Sequence, residues 1–341
     1  MNLIAAAGRL AERAPLPDAL MRAGIELLVG RTRRQLEVGD NAEVEARFAA
    51  NMARCRIAEC ADSANAQHYE LPAEFFALVL GPQRKYSSCY YAAGDSLADA
   101  EERALAETAA HADLADGQRI LELGCGWGSL SLYLAERYSS ARITAVSNSH
   151  SQCCYIEQAA RAAKLTNLHL RTADMNAFAP SGQFDRVVSV EMFEHMANWP
   201  TLLGRIRGWL APEGKLFLHV FGHRTAPYRF DHGDGADWIA QYFFTGGIMP
   251  SHGLIRHFGS LFEVEREWRW SGDHYRRTAL DWLANYDRNI DAIKPILRML
   301  YGDHAGLWQR RWRLFFLATA GLFGHDGGAE WGVSHYRLLP V

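Results

Sequence analysis

Leu121-Glu122-Leu123-Gly124-Cys125-Gly126-Trp127-Gly128 is an apolar run that passes into three alternate glycines. The apolar part has the make-up of a buried strand, and helical periodicity follows the last glycine. Glycines at such a turn let the backbone bend tightly and approach a ligand with no Cβ in the way. The helix behind them aims unpaired N–H groups at anionic ligand atoms. A strand before the glycines and a helix after them predict a nucleotide-type cofactor.

Outward from this motif, strands and helices alternate. Strands are predicted at 119–123, 143–147, 168–173, 184–190 and 215–221, and helices at 128–138, 149–163 and 197–209. Such alternation specifies an α/β fold with a mostly parallel sheet wound on both faces. Segments 262–270 and 331–338 alternate polar and apolar residues, which suits closing strands at one edge and brings the count to seven. Residues 1–115 read as helical, with segments at 16–36 and 96–115, and a third helix between Pro72 and Gly81-Pro82. The stretches at about 223–260 and 273–325, rich in Trp, Tyr and Phe, read as helical insertions into a core spanning 116–341.

Lys plus Arg is 36 against 39 for Asp plus Glu, a net charge of −3, so no basic excess draws the chain to nucleic acid or to an anionic membrane. Six cysteines without a C-x-x-C pair read as reduced thiols of a cytoplasmic protein. Arg9, Glu12 and Arg13 interrupt the N-terminal apolar stretch, which argues against a signal peptide.

The glycine loop differs from the dinucleotide pattern. It is G-x-G-x-G, and no acid follows the second strand to hold a ribose. The acid instead precedes the glycines: Glu122 is placed to hold an amino-acid ammonium group or its hydration water, which suits S-adenosylmethionine. Gly124, Gly126 and Gly128 form the loop, and Asn148 and Gln152 stand where ribose hydroxyls would be bonded. Gln152 also fits a capping box with Ser149. Asp174 and Met175, after the third strand, suit the adenine amino group and ring, a turn-forming Asp being the alternative. Val190 ends the fourth strand beside them.

Glu191-Met192-Phe193-Glu194-His195 follows that strand. With helical geometry from its start, Glu191, Glu194 and His195 share one face through i, i+3 and i+4 spacing. A carboxylate beside an imidazole raises its basicity and makes a workable proton acceptor for an amine. A structural ion pair is the alternative. H-E-x-x-H is missing, so no metal site is expected. His219, alone on the fifth strand, reads as a packed residue.

LELGCGWGSLSLYLAERY, VEMFEHM, FFTGGIMPS and HYELPAEFFALVLGPQRKYSSCYY together resemble the cyclopropane-fatty-acid-synthase-like methyltransferases, most of all the coclaurine and related benzylisoquinoline N-methyltransferases. The resemblance covers about residue 68 to the end. It implies a class I methyltransferase (Rossmann-like) fold, S-adenosylmethionine as cofactor and an N-terminal helical lid. It adds Tyr86 and Ser87 to the cofactor contacts and assigns the acid–base role to Glu191, Glu194 and His195. Cyclopropane synthases hold a bicarbonate ion with a Cys, a Glu, a His and a Tyr. Glu194, His219 and Tyr275 match three of these, whereas Ser88 stands at the Cys position and Glu191 where the synthases have Gly.

The expected function is N-methylation of a small amine by direct displacement. The aromatic residues Trp238, Tyr242, Phe243, Phe244, Trp282, Tyr286 and Trp331 are candidates for its pocket, core being the stronger reading for most of them. The alternative is methylene or methyl transfer to unsaturated acyl chains of phospholipid. That chemistry needs membrane contact, for which Trp308, Trp312, Phe315 and Phe316 offer an apolar helical face; a buried helix with arginines reaching outward explains the same residues and is the preferred reading. A homodimer is left open.

Overall fold

The structure is a computed structural model and describes residues 12, 16–59, 71–230, 233 and 237–341. Cys60 and the first three residues of the HYELPAEFF motif lie outside the described residues.

Among the described residues, four helices precede the sheet: α1 (Asp18–Leu36), α2 (Asn41–Met52), α3 (Ala73–Val79) and α4 (Leu97–His111). Ser96 caps α4 reciprocally with Asp99, which ends the loop before it. The alternating core follows as β1 (Arg119–Leu123), α5 (Ser129–Arg137), β2 (Arg142–Ser147), α6 (His150–Ala162), β3 (Leu168–Thr172), β4 (Phe184–Val190), α7 (Trp199–Trp209) and β5 (Leu210–His223). The last part comprises β6 (Tyr228–Arg229), α8 (Trp238–Tyr242), β7 (Ile248–Met249), β8 (Phe262–Ser271), α9 (Gly272–Arg288), α10 (Ile290–Tyr301), α11 (Ala305–Gly324) and β9 (Trp331–Pro340).

The seven-stranded sheet runs β3-β2-β1-β4-β5-β9-β8, parallel through β5 and antiparallel for the final two strands. After Arg119, every residue of β1 is buried, because helices cover both faces. Its order reverses at β1 and β4, and this switch point opens a crevice at the carboxyl ends of those strands.

Two expectations change. Strand β5 begins at Leu210, five residues before the predicted 215, where the chain hugs β4: a Cβ on Gly214 would fall 2.8 Å from the Phe184 carbonyl oxygen. The stretch 223–260 is mostly not helical. Among the described residues only Trp238–Tyr242 and a 3-10 turn at Leu254–Phe258 are, and β6 and β7 pair antiparallel with each other. Pro227, Gly246-Gly247 and Pro250 interrupt any longer helix there.

Helix α11 is a buried helix. Trp312 and Phe316 are fully buried against Phe75, Tyr286 and Trp282. Its arginines are engaged within the protein: Arg311 lies over the Tyr242 ring and pairs with Glu12, and Arg313 bridges Asp18 and Asp287. The preferred buried-helix reading therefore holds: Trp312 and Phe316 are core, and Trp308 and Phe315 are partly buried against it. Trp312→Ala should cost about 3–5 kcal/mol of stability, as truncation of a large buried aromatic does. Urea denaturation checks this, and a loss below 1 kcal/mol would show that the site collapses around the gap. Among the described residues, no helix is long and apolar enough to cross a membrane.

Candidate active site

A cleft of about 1220 Å³ occupies the crevice. Tyr86, Ser87, Glu122, Gly124, Gly126, Asn148, Gln152, Asp174, Met175 and Val190 all line it. Gly128 does not. It caps α5 at φ +81, and a Cβ there would fall 2.6 Å from Ile156, so this glycine lets the helix start against α6 and makes no wall. Gly124, at φ +80, passes close under Met192, and its N–H and that of Cys125 both donate to the Val146 carbonyl. The glycine loop is thereby tied to β2 on one side and to the turn after β4 on the other.

Local hydrogen bonding fixes the polar wall. Glu122 is buried and accepts from the Ser131 hydroxyl at 2.5 Å, and burial pushes its carboxyl up to about 7. Ser149 caps α6 by accepting the Gln152 N–H, but the Gln152 side chain does not close a capping box. Its Oε1 accepts from Ser147 at 2.7 Å, and its Nε2 is buried with no partner among the described residues. Asp174 accepts from the backbone and side chain of Asn176, so the turn-forming role is realised while the residue still lines the cleft. An unspent buried amide donor and the open space over Gly126 fit the adenosyl group of S-adenosylmethionine.

The turn after β4 does not follow helical geometry from its start. Glu191 has φ +47, a region that costs a non-glycine residue about 1–2 kcal/mol, and only Phe193–His195 forms a 3-10 turn. The strain is held by its contacts. The Glu191 N–H donates to the His219 carbonyl at 2.8 Å. Its Oε1 receives the Ser88 N–H at 2.9 Å and lies 3.1 Å from His219 Nε2, and its Oε2 accepts from the Tyr275 hydroxyl at 2.8 Å. Non-glycine residues in this region mark sites where the surrounding structure over-determines the backbone.

The three residues expected on one face are separated as a result. Glu191 and His195 open on the cleft, but Glu194 lines neither it nor the cavity beyond. Its Oε1 accepts the Phe221 N–H at 2.6 Å, and its Oε2 has no partner. Burial and the neighbouring Glu191 push the Glu194 carboxyl well up. Burial raises Glu191 too, against the lowering effect of Lys85, the Ser88 N–H, Tyr275 and His195. Glu191 has three donors where Glu194 has one, so the pair's shared proton rests on Glu194 and Glu191 is the ion. Burial brings His195 down to about 4, a neutral imidazole.

Sheet order brings together residues that no local pattern connects. His219 and His335 are register partners across β5 and β9, with Nδ1 and Nε2 2.8 Å apart, and His335 Nδ1 lies 2.8 Å from His111 Nδ1 on α4. Burial lowers His219 and His335 well below the usual range, so the ring behind Glu191 is neutral and donates from Nε2. His219 is thus packed, and it also faces the site.

A second cavity of about 720 Å³ continues from Glu191 and His195. Its walls include Tyr86, Phe221, Phe230, Phe244, Tyr275, Trp282, Phe315 and Phe323. Of the seven aromatic candidates only Phe244 and Trp282 line it. Phe243, Tyr286 and Trp331 are core, and Trp238 and Tyr242 pack outside it.

A family model described as mycolic acid cyclopropane synthetase matches residues 58–326. The chain belongs to the mycolic acid cyclopropane synthetase family. Within that family it is similar to the (S)-coclaurine N-methyltransferase of Thalictrum flavum subsp. glaucum, 33% identical over 332 residues that span 94% of this chain and 91% of that protein. The cyclopropane-fatty-acyl-phospholipid synthase of Escherichia coli (strain K12) is 30% identical, over 75% of this chain and 63% of its own length. The crystal structure of a coclaurine N-methyltransferase bound to N-methylheliamine and SAH superposes with a TM-score of 0.90 at 33% identity, covering 97% of each chain. A cyclopropane synthase of Mycobacterium tuberculosis, at 20% identity and a TM-score of 0.68 over 83% of this chain and 99% of that one, shares the fold. The fold of this family member is therefore the class I methyltransferase fold expected from the sequence.

Proposed function

We propose that this family member is an S-adenosylmethionine-dependent N-methyltransferase acting on a small amine. One observation carries the reading: an ionised carboxylate, Glu191, fixed on three donors where the cofactor cleft meets an aromatic-walled cavity. The extent of the likeness to a coclaurine N-methyltransferase supports it.

Bound S-adenosylmethionine would supply a methyl group already activated on a sulfonium, with the C–S electron pair left on sulfur. Glu122 with Tyr86 and Ser87 would hold its amino-acid end, Gly124, Gly126 and Val190 its middle, Asn148 and Gln152 its ribose, and Asp174 and Met175 its adenine. The segment 1–115 would serve as a lid, since Tyr86 and Ser87 reach the cleft from it.

The remaining chemistry belongs to the chain. An ammonium ion has no lone pair to form the N–C bond, so one proton must leave first. Glu191 attracts the cation, accepts that proton and holds the nitrogen at the mouth of the cleft. His195, neutral, offers a ring nitrogen to orient the amine. Tyr275 and His219 keep the carboxylate in place, and Glu194 holds the turn through Phe221. Aromatic walls suit a flat or cationic substrate.

Incubation of the purified protein with S-adenosylmethionine, tetrahydroisoquinoline-type amines, aryl-ethylamines and unsaturated phospholipid vesicles tests this. Mass spectrometry should show a one-carbon gain on an amine. A gain on acyl chains alone would overturn the reading in favour of the lipid reaction. A cytoplasmic location belongs to the same proposal, supported by free thiols at all five described cysteines. So does a homodimer, supported by Leu20, Leu27 and Leu28, which stand exposed along α1; light scattering should give twice the chain mass.

A further inference from the structure

Lys85 is a fully buried lysine on the strand-like strap Lys85-Tyr86-Ser87-Ser88 that closes over the cleft. Its Nζ donates to the Ser87 hydroxyl at 2.5 Å and to the Ser88 carbonyl at 2.6 Å, and no carboxylate lies within ion-pair distance among the described residues. Buried ammonium groups are costly unless they are compensated. Two buried carboxylates flank it. Glu101 on α4 accepts the N–H groups of Gln83 and Lys85 at 2.8 and 3.2 Å, and Glu191 accepts the N–H of Ser88. The strap is thus clamped by one buried carboxyl group at its start and one buried lysine along its length.

We propose that Lys85 is a positioning residue for this reaction, acting on both substrates through the strap; for Glu191 the inference rests on the amine reading above. Its first effect is on Ser87. A hydroxyl oxygen that accepts from an ammonium group turns its own proton elsewhere, and Ser87 lines the cleft. The Ser87 O–H is therefore presented as a donor to an acceptor at the amino-acid end of the cofactor. Its second effect is on Glu191. Lys85 fixes the Ser88 segment whose N–H meets Glu191, and it supplies the cation that keeps that carboxylate ionised in a water-poor site. The other groups facing Glu191 are His195, His219 and Tyr275, all neutral, with protonated Glu194 behind. Among the described residues Lys85 is the lysine that faces Glu191; burial lowers its pKa, against the raising effect of Cys89, Glu191 and Glu101.

One measurement on the unliganded protein and one on cofactor binding test the proposal without turnover. Titration of ¹³C-labelled glutamate carboxyls, with Glu191→Gln assigning the resonance, should show Glu191 in Lys85→Met moved up by about one pH unit or more, the size expected for loss of a nearby opposite charge. Calorimetry should show S-adenosylmethionine bound about tenfold more weakly, the size expected for loss of a charge-supported hydrogen bond. Ser87→Ala keeps the buried charge. It should reproduce the weaker binding and leave the Glu191 titration unchanged, and it decides the hydroxyl's role even if Lys85→Met is too unstable to isolate. Lys85→Met with wild-type titration and wild-type affinity overturns the proposal, as does Ser87→Ala with wild-type affinity. A wild-type protein that methylates no amine sinks the N-methyltransferase reading and is seen separately, because neither readout depends on an acceptor.

Discussion

Glu191→Gln should lower kcat for amine methylation by about 10²–10⁴-fold, the range by which a positioned acid or base accelerates proton transfer. The substitution keeps the shape; its amide oxygen at the Oε1 position still accepts from the Ser88 N–H and faces His219, and its NH2 at the other position donates to the Tyr275 hydroxyl oxygen, so folding and cofactor affinity should change little. It removes the negative charge that attracts an ammonium ion and the site that takes its proton. The pH profile adds a second readout. Burial raises the Glu191 pKa, and the base must be ionised, so wild-type kcat should rise as pH climbs through that raised value. The glutamine variant should lack this limb. A variant that retains wild-type kcat with the limb intact would mean that another group takes the proton, with His195 the first to examine because it shares both cavities. The same substitution bears on the lipid alternative, whose acceptor is a carbon–carbon double bond with no ammonium proton to remove. Loss of amine methylation with acyl modification preserved would place Glu191 outside that second chemistry.

What could be read from the chain follows how far apart the interacting residues lie in sequence. The strand, three alternate glycines and helix of 121–137 are local, and the cleft formed where they were expected. Gln152 carried two local readings, ribose donor and capping box, and the hydrogen bond from Ser147 decided against the box while leaving Nε2 unspent. The Glu191, Glu194 and His195 face was argued from a 3.6-residue period. The chain there turns through a left-handed residue into a single 3-10 turn, so that period does not apply and Glu194 swings behind the site. Nothing near Glu191 in sequence announces φ +47. His219, Tyr275, Ser88 and Lys85 converge on it only through strand pairing and the strap, contacts of 28 to 103 residues' separation for the direct partners. His335 and His111 belong to the same class and were not singled out. The aromatic residues carried two readings, pocket wall and core, and for most of the seven core holds, as expected; sequence does not say which are the exceptions, because helical spacing that points side chains inward looks the same whether a cavity or another helix lies opposite.

Gly124→Ala should be the most damaging single-methyl addition in the cofactor cleft. The position has φ +80, where an L-residue with a Cβ pays about 1–2 kcal/mol. The added atom would fall 2.7 Å from Met192 Cβ and 2.8 Å from its Cγ, closer than real Cβ contacts allow, and Met192 cannot swing away because its own Cβ is the nearest atom. Overpacking of this kind costs about 1–3 kcal/mol more. The clash joins two working parts. Gly124 belongs to the loop tied to Val146, and Met192 lies next to strained Glu191, so relief requires either the loop to lift from β2 or the turn after β4 to shift. Both movements displace the wall that would hold the cofactor. Stability should therefore fall by about 2–5 kcal/mol, the sum of the two costs, and S-adenosylmethionine affinity should fall at least about tenfold in whatever folded fraction remains. Gly126→Ala is the control: its backbone is also left-handed, at φ +52, but no atom of the protein lies within 4 Å of the added Cβ. It should cost only the backbone strain in stability, while its methyl group projects into the open cleft and weakens cofactor binding directly. Thermal denaturation and calorimetry on the two variants separate these effects. Equal stability losses would show that the Met192 contact yields without cost, and with it the mechanical link drawn here between the cofactor loop and the catalytic turn would fall.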